Sequence, residues 1–187
     1  MSTQISISGA LSSNLVYVQT KESNIITGLL PTSLIATGIG SGIGSLTILK
    51  DTLQVGSTYR FIMGGIADVS NVAGQNIKFD IGLSTQSFAQ LSYPSPASNN
   101  GNAFQLECTF TVKTTGVAGV AGIMGTILFS SMNISVGTSP SQSGTSFSIG
   151  TTFDTTVNNT LFINGYFSTA LVTNKMVSNI LTLEKLK

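Results

Sequence analysis

Residues 104–113 read FQLECTFTVK. Phe104, Leu106, Cys108, Phe110 and Val112 alternate with Gln105, Glu107, Thr109, Thr111 and Lys113. An extended chain sends successive side chains to opposite faces, so this stretch is a strand with one dry face and one wet face. NIKFDIGL (76–83) repeats the pattern, with Ile77, Phe79, Ile81 and Leu83 inward and Lys78 and Asp80 outward. LFINGYF (161–167) places Leu161, Ile163 and Phe167 on one face but Phe162 and Tyr166 on the other. A strand apolar on both faces is either central in a sandwich or turned toward a partner subunit.

Working outward, further strands are expected at 14–19, 24–30, 45–49, 58–64, 86–93, 125–136, 145–150 and 179–186. Between them lie turn signals: Val55-Gly56-Ser57, NVAGQN, SYPSPASNNGN, GTSPSQSG and FDTTVNN. Short strands separated by Gly, Asn, Pro and Ser, with no sustained helical stripe, predict an all-β sandwich. A chain of this length with about eight antiparallel strands fits a single jelly roll. No composition shift marks a second domain. Residues 21–187 are read as one jelly-roll domain, and residues 1–20 as an N-terminal arm or a first edge strand.

The composition is 41% hydrophobic but only 8% charged, with Ser, Thr and Asn supplying most of the polarity. Such a surface is hydrated without being charged, and burying it against other copies costs little desolvation. Net charge is +1 and the eight basic residues are scattered. Direct nucleic-acid binding, which needs clustered Lys and Arg against phosphate, is not expected. The N-terminus lacks the charged and apolar regions of a secretory signal. No apolar run reaches 18 residues, so no transmembrane helix is read. Two N-x-S/T sequons, at Asn133 and Asn158, matter only if the chain enters a secretory pathway.

TGIGSGIGSLTI (37–48) sets glycines at positions 38, 40, 42 and 44. A Walker loop would need a lysine directly after its last glycine, and a dinucleotide fingerprint would need a third glycine at 43 or 45. Ile43, Ser45 and Leu46 stand there instead. The stretch is read as a flexible connector, or as a strand whose missing side chains let a neighbouring backbone approach.

No catalytic residue, cofactor or metal is expected. Histidine is absent, which removes the Ser–His and Cys–His devices. Cys108, the single cysteine, sits on the apolar face of its strand as a small buried hydrophobe. The seven acids (Glu22, Asp51, Asp68, Asp80, Glu107, Asp154 and Glu184) are dispersed, and Trp is absent. A glycosidase would want paired carboxylates flanked by aromatic platforms. GVAGVAGIMGTILF (116–129) has the style of a membrane-inserting peptide but is too short to span. It is read as a Gly-rich loop feeding a buried strand from near Ile123, and membrane contact is not expected.

GSLTILKDTLQVGSTYRFIMGGI (44–66), with its L-x-V-G-x-x-Y pattern, is followed by NIKFDIGL, FQLECTFTVKTTGVAGVAG (104–122) and NTLFINGYFSTALVTNKMVSNILTLEKL (159–186). In this order they resemble a group of β-sandwich structural proteins of large DNA viruses and phages. The resemblance spans the last three-quarters of the chain and implies a single jelly-roll virion protein, located in the capsid. Two jobs are usual for such a module: a pentameric penton at the fivefold vertices, which is favoured, or a trimeric receptor-binding head of a spike or fibre. The implied partners are further copies of itself and neighbouring major and minor capsid proteins. No charge precedes Lys21, so no basic arm reaches for the genome.

On the penton reading, Tyr59, Phe162 and Tyr166 are expected at the subunit interface because they break simple alternation, with Arg60 as a pairing residue. On the spike reading, Tyr93, Pro94 and Pro96 would be presented outward from the loop at 91–102.

Overall fold

The computed structural model describes residues 14–69, 75–94, 99–130 and 142–187. The strands are β1 (Leu15–Gln19), β2 (Thr32–Ser33), β3 (Gly42–Gly44), β4 (Thr47–Ile48), β5 (Thr58–Val69) and β6 (Asn76–Leu83). They continue with β7 (Gln86–Pro94), β8 (Asn99–Thr114), β9 (Gly119–Ser130), β10 (Gln142–Phe153), β11 (Asn159–Phe167) and β12 (Lys175–Lys185). One short 3₁₀ turn, Lys50–Thr52, leads into β5.

The pairing is best followed from the tight β6–β7 hairpin outward. β6 pairs with β7, β5 with β8, the short β2 and β4 with β11, and β1 with β12, all antiparallel. The chain is therefore a two-stranded ribbon folded back on itself. Wrapping brings β5 against β12 and β6 against β11, which splits the ribbon into two facing sheets. This is the pairing scheme of a jelly roll. The larger sheet runs β10-β9-β8-β5-β12-β1-β3, and the smaller runs β2-β11-β6-β7 with β4 also on β11. The hairpin β9–β10 is an insertion between the sixth and seventh strands of the roll, and it extends the larger sheet past β8.

The core between the sheets follows from alternation. Phe104, Leu106, Cys108, Phe110 and Val112 of β8 are all buried, as are Ile77, Phe79, Ile81 and Leu83 of β6. Phe79 meets Phe104 and Phe129 across the sandwich with ring centroids 5.4 Å and 6.4 Å apart. Phe88 stands edge-on to Phe110 and Phe153 at 5.9 Å and 5.8 Å. Such tilted contacts suit the ring quadrupole and keep the two sheets in one register.

Three expectations about elements need correction. Residues 24–30 are not a strand. Ile26 pairs with Met176 of the larger sheet, and two residues later the Gly28 carbonyl takes the Phe167 amide of the smaller one. A segment serving both sheets within three residues, Ile26 to Gly28, cannot continue either ladder. The stretch 45–49 is strand only at Thr47–Ile48, for the same reason. The Gly-rich 116–129 is not a loop feeding a strand near Ile123: β9 begins at Gly119 and pairs on both edges. Its glycines are where neighbours cross, with the Lys113 side chain over Gly122 and the Phe147 ring over Gly125. No helix among the described residues is long and apolar enough to cross a membrane.

β1 lies between β12 and β3, one strand in from the edge. Leu15–Gln19 is thus an interior strand, and residues 1–13 lie outside the described residues.

Candidate assembly surface

A sandwich offers a neighbour two broad faces, two flanks and two loop ends. Charge is distributed unevenly among them. The outer face of the larger sheet carries Arg60, whose guanidinium Nη2 donates to Glu184 at 2.7 Å and whose Nη1 lies 3.9 Å from Glu107. The bond to Glu184 holds the Arg60 pKa above its ordinary value. The outer face of the smaller sheet carries Lys78, with its ammonium 5.7 Å from the Tyr166 ring centre, and Asp80, which accepts from the Ser87 hydroxyl. No charged residue lies on the edge strands β2, β3, β7 and β10 or on β4, nor on the interior strands β1, β9 and β11. The edge strands and β4 make up the two flanks.

The first flank is built by residues 20–49, which lace the two sheets together. Ser23 and Ile26 bond to β12, Gly28, Thr32, Ser33 and Leu34 to β11, then Ser41–Gly44 to Tyr17–Thr20, the end of β1 and the residue after it. Leu46 and Thr47–Ile48 return to β11. A buried polar knot holds the lacing. Gln19 Nε2 donates to Ser178 Oγ at 3.0 Å, and its Oε1 accepts the Ala36 amide at 2.9 Å. Ser178 Oγ donates to the Leu34 carbonyl, and the Ser178 amide donates to Ser23 Oγ at 2.9 Å. Each of these groups would cost about 1–3 kcal/mol if buried unpaired, so the knot specifies the path.

The glycine run belongs to this flank, and it provides close backbone approach rather than a ligand cradle. At Gly42 a Cβ would overlap the Tyr17 ring. At Gly44, with φ +92°, it would overlap the Val16 carbonyl oxygen. The turn before it is held by Lys21 Nζ on the Ile39 carbonyl at 2.9 Å and by the Thr20 hydroxyl on the Gly40 carbonyl at 2.7 Å.

The second flank consists of β7 and β10, the free edges of the two sheets at the opposite side. β10 pairs with β9 along all twelve of its residues, and no described strand pairs with its far side.

The residues singled out in the sequence fall in different places. Tyr59 is not at a surface. It is 1% exposed, stacks on Phe110 at 5.2 Å, and donates its hydroxyl to Thr52 Oγ1 at 2.9 Å. Burial pushes its phenol pKa up, with the Thr52 bond partly opposing. It belongs to the inward set Tyr59, Phe61, Met63, so the residue that departs from alternation on β5 is the outward Ile62. Arg60 uses its two Nη groups within its own chain, on Glu184 and toward Glu107, while its Nε is buried without a hydrogen-bond partner among the described residues. Phe162 and Tyr166 do lie on the outer face of β11, where the Phe162 ring fills the space above Gly82. Tyr93 turns inward and stacks on Phe129 at 4.3 Å, Pro94 is exposed, and Pro96 lies outside the described residues. Asn133 also lies outside them, and Asn158 is exposed with its Oδ1 accepting the Lys50 amide at 3.0 Å. Burial beside Glu107 pushes the Cys108 thiol up to about 12.

Of the assembly and loop residues singled out in the sequence, only Tyr93 and Pro94 lie on a flank strand, β7. No charged residue occurs from Ser23 to Leu49, from Ile81 to Leu106, or from Thr114 to Phe153. Those runs contain both flanks. Among the described residues no group of three or more His, Cys, Asp or Glu is placed to hold a metal ion.

No family model matches the sequence, and no curated protein matches it. Among solved structures, the lectin-like defense protein arcelin-5 from Phaseolus vulgaris superposes with a TM-score of 0.39 at 8% identity, over 94% of this chain and 93% of that one. The CBM2 module of the evolved Dit of Lactobacillus casei BL23 phage J-1 gives a TM-score of 0.31 at 11% identity, over 92% and 95%. Likenesses at these scores carry no argument about what this chain does.

Proposed function

We propose that this chain is a structural protein of a virus capsid, a penton that closes as a ring of five around the vertices of an icosahedral shell. The observation that carries the reading is the ribbon pairing of β1 with β12, β2 and β4 with β11, β5 with β8 and β6 with β7. It is the jelly roll that the sequence resemblance implies, and it runs from β1 to β12 with the β9–β10 hairpin inserted. The work asked of such a module is geometric rather than catalytic. Repeated head-to-tail contacts between identical subunits close into a ring when the rotation per subunit divides the circle. Neighbouring capsid proteins then surround the ring, and the genome is left to other components.

The test is native mass spectrometry of the full chain together with antibody labelling of purified particles. Five copies and label at the vertices are expected. A trimer with label on projecting spikes sinks the vertex reading and makes the chain a receptor-binding head.

A further inference from the structure

The described sheets end on four edge strands, and three of them are blunted. β2 and β3 have two and three residues. β7 has nine, but it ends on Pro94 and its register with β6 shifts at Ile81/Gly82. β10 has twelve residues, no charge and no proline, and it pairs with β9 without a bulge. In an antiparallel ladder alternate residues turn amide and carbonyl to the same side, so about six residues of β10 offer both groups away from β9. Natural sheets cover or break such an edge, because those groups template another strand. The inward side chains of β10 also lack a neighbour. Phe147 and Ile149 stand opposite Gly125 and Ile123 of β9. Ile123 is 2% exposed, whereas Ile149, one strand further out, is 38% exposed. A cover of side chains would bury the edge amides and carbonyls unpaired, whereas an added strand pairs them and continues the apolar row.

We infer that residues 4–11 of a second copy of this chain add to β10 as its next strand. They read QISISGAL, with Ile5 and Ile7 alternating with Ser6 and Ser8 and with neither charge nor proline. TSFSI (145–149) on β10 has the same alternation. Isoleucines turned inward beside Phe147 and Ile149 complete the row, and the serines face water. The segment precedes the described residues, and its point of departure assigns it to a neighbour. The Asn14 carbonyl accepts the Lys185 amide, but the Leu186 amide then turns to Thr58, so β12 offers no ladder upstream of Asn14. The far side of the same copy's β10 lies six strand spacings from β1, about 29 Å. Leu11 is four steps from Leu15, a span of about 14 Å at full extension, and Ile7 at eight steps reaches about 27 Å. The arm therefore cannot lie along its own β10. β1 belongs beside the first flank and β10 to the second, so the exchange is head-to-tail and repeats, as a ring requires. Pairing β10 with β10 would also cover the edge, but it closes a twofold dimer and stops there. The inference rests on the assembly reading above and adds the element that joins the copies.

Cross-linking between two full-length variants, Ser6→Cys and Gly150→Cys, tests it. Gly150 is exposed and a Cβ there meets open space, while Cys108 is buried and stays silent. The two variants are co-expressed, treated with a short bis-maleimide, and the products identified by intact mass. A covalent dimer holding one chain of each kind is expected, and it can form only between copies. Adding Ile5→Pro and Ile7→Pro to the Ser6→Cys chain is expected to abolish that product, since proline cannot donate to a ladder, and to leave the melting temperature unchanged. The inference is overturned if no mixed dimer forms, if the only products join two Gly150→Cys chains or two Ser6→Cys chains, or if the prolines leave the yield unchanged. A ring of five that gives no mixed dimer refutes the arm exchange and leaves the vertex reading standing. A trimer that gives the mixed dimer, and loses it with the prolines, does the reverse.

Discussion

Gly38 and Gly44 separate two reasons for a glycine that usually come together. Both have φ in the left-handed region, +96° and +92°. A Cβ at Gly38 meets nothing within 4 Å, whereas one at Gly44 overlaps the carbonyl oxygen of Val16. Alanine at either position adds a left-handed side chain, at a cost of about 1–2 kcal/mol. That cost is offset in part by ~0.4–1 kcal/mol of lost unfolded-state entropy. Gly38→Ala is therefore expected to cost roughly 1 kcal/mol. Gly44→Ala must also push β3 off β1. It gives up the pairing of Gly42–Gly44 with Tyr17–Gln19 and the Ser45 amide bond to Val16 at 2.9 Å. Losing two or so such bonds adds about 2 kcal/mol. For a domain of this size each kcal/mol moves the melting point by about 2–4 °C. Differential scanning calorimetry should then find Gly44→Ala melting about 4–8 °C below Gly38→Ala. Equal melting points would refute the claim that close approach, rather than φ, is what Gly44 provides.

Tyr59→Phe removes the hydroxyl bond to Thr52 and should cost about 1 kcal/mol in a denaturant melt while leaving the assembly mass unchanged. Phe162→Ala should likewise leave that mass unchanged, since its ring fills the space above Gly82 within its own sheet; a loss of assembly would place a subunit contact on that face. Cys108 should resist Ellman's reagent in the native state and react at a rate that tracks unfolding. Its thiol titrates higher folded than unfolded, so its contribution to stability is full below about pH 9 and is lost as pH rises toward 12. The alkaline fall in melting point should accordingly be shallower in Cys108→Ala. Glu184→Gln should cost under about 1 kcal/mol, because the pair with Arg60 is about a third exposed and screened.

Where alternation is strict, the sequence predicts the fold well. β6, β8 and β11 are legible from Ile77, Leu106 and Ile163 because each strand has one face in the core and one in water. β9 was half legible: Gly119, Gly122 and Gly125 interrupt the apolar beat, and only the packed sheet shows Lys113 and Phe147 crossing above two of them. Tyr59 was misjudged because Ile62 makes both faces of β5 look apolar, and nothing local says which face is inside. The lacing was illegible for a deeper reason. NIITGLL has the composition of a strand, but its partners, Met176 and Phe167, lie far along the chain and in different sheets. A segment shared between two ladders has no period to read.

The lacing also fixes an order of events. Its bonds run to β11 and β12, so residues 20–49 have nothing to lace until Asn159–Lys185 have left the ribosome. The hairpins β6–β7 and β8–β9–β10 are local and close early, while the pairing of β1 with β12 spans nearly the whole chain and closes late.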